Sequence, residues 1–200
     1  VGVKHEGKVY LGGDSAGTDD WLNQSTRVQP KVFVIEEMAL GFTHSFRMGQ
    51  LLQHMELPPH PQYIDDFAYM VTLFIPAVKK LFTEGGFNKQ DMGVDQGGFF
   101  FAGYRGHLYC IQSDYQVSES ADDYDSIGCG GAYACGALHT NGILSPKERI
   151  IQAIGTAEYH SAGVRGPINI VETGIPRKDK PDWNSGWRKY IPAFTIKRKV

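Results

Sequence analysis

Apolar residues follow two rhythms along this chain, and the places where one gives way to the other mark its elements. "KVYLGG" (8–13) is a short β-rich run stopped by two glycines. "KVFVIEE" (31–37) alternates apolar and polar positions and "MALGFT" (38–43) follows a Glu-Glu turn, which predicts a hairpin. The spacing then becomes helical over "SFRMGQLLQHM" (45–55), with Ser45 as N-cap, and "ELPPHPQY" ends it because proline removes a donor and fixes φ. The clearest helix is predicted from Asp65 to Glu84. There Phe67, Met70, Val71, Phe74, Ile75, Val78, Leu81 and Phe82 make one apolar stripe, and Pro76 predicts a kink or break.

"EGGFNKQDMGVDQGG" (84–98) reads as a loop, and "FFFAGY" and "HLYCIQSD" as buried strands joined by Arg105-Gly106. "SESADDYDS" (118–126) reads as a polar connection. "SPKERIIQAIGTAEYHSAG" opens with a capping box, Ser145-x-x-Glu148, and places Pro146 at the first helical position. "INIVE" (168–172) is a closing strand. The order is strands, two helices, strands, one or two helices, strand. An α+β fold with helices outside stacked antiparallel sheets accommodates it. Residues 1–172 are expected to form one domain. Residues 173–200, rich in Pro, Lys, Arg and Trp, are expected to pack along it or reach a neighbouring subunit.

Composition narrows the function. A net charge of −2 gives no reason to expect nucleic acid or an anionic membrane as partner, and no apolar run approaches a bilayer span. Cys110, Cys129 and Cys135 are odd in number and form no C-x-x-C pair, which fits free thiols in a reducing cytoplasm. No histidine lies at ligand spacing from Cys129 and Cys135, so no metal is expected, and His54 and His60 read as surface residues.

Four features carry the chemistry: Gly13-Asp14 after the first strand, Lys31 at the head of a later one, "LGFT" (40–43), and "IGCGGAYACGAL" (127–138). Each is weak alone. In this order, with the helix end "AEYHSAG", they resemble the proteasome-like branch of the N-terminal nucleophile (Ntn) hydrolases, which includes proteasome β subunits and the bacterial proteasome-like protease that works with a ring ATPase. The resemblance runs from Val1 to about Val171. It implies a four-layer α-β-β-α sandwich of two antiparallel sheets. It also implies a threonine-type peptidase that needs no cofactor and assembles in rings around a chamber reached by unfolded polypeptide or peptide, with a ring ATPase as a possible partner.

The mechanism it implies makes physical sense. The nucleophile is the hydroxyl of a first-residue threonine, and that residue's α-amine, titrating near 8, serves as base. On this reading Lys31 favours loss of the hydroxyl proton, Asp14 holds Lys31 charged, and Gly41 supplies an oxyanion-hole N–H. Cys129 falls where the family has serine in a "GSGG"-like turn, and a thiol is the weaker donor. Glu158 and Ser161 align with an Asp-x-x-Ser pair that orients that serine and the amine.

The family pattern puts the threonine three residues before the position of Val1. Either a Thr-containing segment precedes Val1, or the nucleophile is lacking and the chain is a silent assembly protein. The Val1 start and the Trp183- and Trp187-containing tail would suit the latter. Keeping a costly charged pair at Asp14 and Lys31 favours the former. A small-molecule amidase is a third reading, disfavoured by the proteasome-like helix entry.

Overall fold

The computed structural model describes residues 1–174 apart from Asp20 and Leu22. Two antiparallel sheets lie face to face. The first contains β1 (Gly2–His5), β2 (Lys8–Gly13), β12 (Tyr124–Asp125) and β13 (Asn169–Gly174), in the order β12-β1-β2-β13. The second contains β5 (Val32–Ile35), β6 (Met38–Phe42), β9 (Phe100–Tyr104), β10 (His107–Ile111) and β11 (Val117–Glu119), in the order β11-β10-β9-β6-β5. Short hairpins β3–β4 (Ala16–Thr18, Gln24–Thr26) and β7–β8 (Lys89–Asp91, Val94–Gln96) stand apart from both.

Three apolar layers hold this stack together. Val9, Leu11, Val32, Ala39, Phe101 and Leu108 fill the space between the sheets. On the outer face of the second sheet, Phe42, Tyr104 and Phe100 pack on Met48 of α1 (Phe46–Gln53), on Phe82 of α3 (Ile75–Glu84) and on Phe74 just before α3. On the outer face of the first, Val3 and Ile170 pack on Leu138, Ile150 and Ile154 of α4 (Gly131–Thr140) and α5 (Pro146–His160). The result is the expected α-β-β-α sandwich, with a core on each side of each sheet. Gly12 lets α5 settle on β2, because a Cβ there would overlap the Ile150 side chain.

The expected helices form. Ser45 caps α1 by accepting from the Met48 N–H, and the Glu148 carboxylate accepts from the Ser145 N–H and hydroxyl at the start of α5. The long helix is interrupted: α2 (Asp66–Tyr69) leads into a π-helical turn over Met70–Phe74, and α3 follows. Ile75 donates to the Met70 carbonyl, five residues back. The widened turn lies just before Pro76, whose ring would otherwise press on the carbonyl four residues earlier. The shift in phase leaves Phe67 and Val71 about half exposed, while Met70, Phe74, Ile75, Val78 and Phe82 are buried.

Three expectations need correction. Residues 84–98 are not all loop. β7 and β8 pair around Met92-Gly93, both at positive φ, the turn that matches strand twist. The connection 118–126 contributes β11 and β12 to the two sheet edges. His60 is not a surface residue: its side chain is 6% exposed, its ring stacks on Tyr69 at 4.4 Å, and its Nδ1 lies 2.8 Å from the Tyr104 hydroxyl. Of the expected 173–200 extension, Thr173 and Gly174 belong to β13, and the rest, Trp183 and Trp187 included, lies outside the described residues.

Leu11 is fully buried between the sheets. Leu11→Ala should lower unfolding free energy by about 2–5 kcal/mol, read as a lower denaturant midpoint at unchanged slope.

Candidate functional site

Chemistry-bearing residues collect where β1 begins and β2 ends. Val1 extends the β1–β2 ladder, accepting from the Gly12 N–H at 2.8 Å and donating its own nitrogen to the Gly12 carbonyl at 3.0 Å. Two residues further on, Asp14 leaves β2. Lys31 stands just before β5, and its Nζ lies 2.7 Å from Asp14 Oδ1, with the two side chains only 15% and 14% exposed. Gly13 permits the approach, since a Cβ there would lie 3.1 Å from Lys31 Cβ. The other carboxylate oxygen, Asp14 Oδ2, accepts from the Ala16 N–H at 2.8 Å and the Arg165 N–H at 3.1 Å. Three donors thus offset the cost of sheltering this carboxylate from water.

The pair lies on the wall of a cavity of about 410 Å³ that Val1, Gly41 and Cys129 also line. The hairpin β3–β4 forms one side and the glycine-rich entry to α4 another. Cys129 Sγ accepts from the Ser161 hydroxyl at 3.6 Å, and Ser161 Oγ accepts from the Gly163 N–H at 3.3 Å. Glu158 accepts from the Gly166 N–H at 3.3 Å. Among the described residues, no group of three or more His, Cys, Asp or Glu side chains is placed to hold a metal ion. No helix among them is long and apolar enough to cross a membrane.

No family model matches the sequence, and no curated protein matches it. Solved structures do. BPH from Thiobacillus denitrificans superposes with a TM-score of 0.72 at 14% identity, over 90% of this chain and 98% of that one. The same protein in complex with epoxomicin gives 0.69 at 12% identity, over 88% and 98%. Eukaryotic HslV from Trypanosoma brucei gives 0.61 at 15% identity, over 86% and 97%. Anbu, an ancestral β-subunit from Yersinia bercovieri, gives 0.61 at 12% identity, over 86% and 80%. The fold is that of the proteasome-like Ntn hydrolases. At these identities the likeness concerns the fold.

Within this proteasome-like frame the six expected site residues separate. Asp14, Lys31, Gly41 and Cys129 share the cavity wall. Ser161 joins through Cys129. Glu158 contacts neither Ser161 nor Cys129 through its hydrogen bond; it fixes Gly166, next to the residue whose N–H holds Asp14. Its part is to position the loop after α5.

Gly41 faces Val32 across a non-hydrogen-bonded pair, because Phe42 N–H donates to the Lys31 carbonyl at 2.9 Å. Alternation then directs the Gly41 N–H into β9 opposite Phe101, away from the cavity. Gly41 contributes room instead, since a Cβ there would press on Val32 at 3.1 Å.

Among the backbone donors along the cavity wall is His44, at φ +68; Gly128, Cys129 and Gly130 at the entry to α4 are others. Thr43 N–H donates to Phe99 and Ser45 N–H to Thr43, while the His44 N–H between them has no acceptor among the described residues. Nothing in the sequence marks it, because an unpaired backbone N–H has no residue type of its own. Arg165 was also missed, since it acts on Asp14 through its backbone.

Burial pushes the Cys110 thiol up to about 11, whereas Cys129 is exposed. Less thiolate at neutral pH and less access both slow Cys110. Iodoacetamide at neutral pH should therefore modify Cys129 before Cys110, as read by peptide mass spectrometry over time. The reverse order would contradict this picture of the cavity rim.

Proposed function

We propose that the chain is a subunit of a proteasome-like, self-compartmentalising threonine peptidase that works as a homo-oligomeric ring on unfolded polypeptide or peptides. The observation that carries this reading is the sheltered Lys31–Asp14 pair at the head of β1, facing a cavity. β1 pairs with β2 through Val1, so residues preceding Val1 would run on past Gly13 toward Lys31. A threonine three residues upstream would therefore reach the pair. A peptide N–H at Val1 would keep the bond to Gly12 with no charge to desolvate.

In that arrangement the threonine hydroxyl attacks the substrate carbonyl and passes its proton to its own α-amine. Lys31, held by Asp14, stabilises the negative charge that develops. The His44 N–H suits the carbonyl oxygen as it becomes an oxyanion. The amine then delivers the proton to the departing nitrogen, and water releases the acyl group. Cys129 and Ser161 stand at the rim as a hydrogen-bonded pair able to orient the amine.

The test is the intact mass and N-terminal sequence of the mature protein, with labelling by epoxomicin, the molecule present in one BPH complex. An N-terminal threonine and covalent labelling are expected. A confirmed Val1 terminus with no hydrolysis of unfolded protein would establish the silent assembly protein instead.

Lys31→Ala should reduce peptide turnover by about 100-fold or more while leaving the assembly intact in size-exclusion chromatography. Unchanged turnover would remove Lys31 from the mechanism.

A further inference from the structure

Of the charged groups around the cavity, most are already committed. Lys31 is spent on Asp14. Asp19 is bound within its own turn, accepting from the Trp21 N–H, the Asn23 N–H and the Asn23 side chain. Arg27 differs. It lines the cavity, yet its guanidinium has no carboxylate within ion-pair distance and no hydrogen-bond acceptor among the described residues.

Although the residue is exposed, three contacts place it. Its backbone N–H donates to the Ser15 carbonyl at 2.8 Å, next to Asp14. Its side chain lies in a lane that Gly17 leaves open, where a Cβ would stand 2.5 Å from Nε. Its guanidinium carbon lies 5.7 Å from the centre of the Phe46 ring, a cation–π placement that leaves the N–H edge free.

We infer that Arg27 determines specificity and that the cavity takes an acidic side chain of the substrate, adjacent to the bond that is cut. A planar fork of donors on a cavity wall, without an acceptor among the described residues, matches a carboxylate in two-point contact. Lysine substrates meet a like charge there, and neutral ones leave the fork unfilled. The inference rests on the peptidase reading for its setting, but the recognition itself requires only binding.

The experiment uses fluorescent peptides of one sequence with Glu, Gln or Lys before the scissile bond, and measures both anisotropy and cleavage on the assembled full chain. The Glu peptide should bind about tenfold or more tightly than the Gln peptide, with Lys weakest. In Arg27→Gln the Glu-to-Gln ratio should fall to near one. Gly17→Ala, which displaces the arginine without removing it, should lower the ratio as well.

Equal binding of Glu and Gln peptides by the wild type, or a ratio unchanged in Arg27→Gln, overturns the inference. Selective binding without cleavage would uphold Arg27 and refute the peptidase. Cleavage without selectivity would do the opposite.

Discussion

The ion pair between Asp14 and Lys31 organises this end of the molecule. The carboxylate ties together three segments far apart in sequence: the end of β2, the residue before β5, and the loop after α5 through Arg165. Removing either charge would leave the other sheltered and unmatched, which costs more than the pair contributes. Removing the carboxylate would also take the acceptor from two backbone N–H groups, of which Ala16 is the sheltered one. A structural joint and an electrostatic device are here the same group, so the site inherits the rigidity of the two sheets it bridges.

That joint requires the sheets to approach closely, and glycine supplies the clearance. Gly12 admits α5, Gly13 admits Lys31, and Gly41 leaves space above Val32. On the other side of the cavity, Gly17 leaves the lane for Arg27. The cavity exists because side chains are missing along a seam between well-packed layers, not because the layers are loosely packed.

Much of this was legible in the sequence. Where burial is one-sided, the apolar rhythm is strong, and β2, β5, β6, α1 and α5 fall where the pattern puts them. The β7–β8 hairpin was not legible, because Lys89, Gln90 and Asp91 are all exposed and so carry no apolar alternation. Its one signal is Met92-Gly93, which has the same form as the Arg105-Gly106 turn between β9 and β10. The phase of the long helix departs from the stripe because a π turn adds a residue that a 3.6-residue period does not anticipate. At the site, Asp14, Lys31 and Cys129 were visible as side chains in order along the chain. Backbone donors were not: the Gly41 N–H is claimed by a strand register, and the His44 and Arg165 N–H groups depend on loop geometry.

The same distinction explains how a fold is shared at 12–15% identity. An apolar core accepts many sequences of suitable volume, so the three layers place few demands on identity. In this chain the stringent demands fall on a few positions: glycines where backbones meet, positive-φ turns, and the Asp14–Lys31 pair. Those positions locate the cavity while leaving its lining free to vary. Arg27 belongs to the free set, since its removal would break no sheet, helix or turn. If Arg27 reads the substrate as inferred, selection rests on a residue on which the fold does not depend.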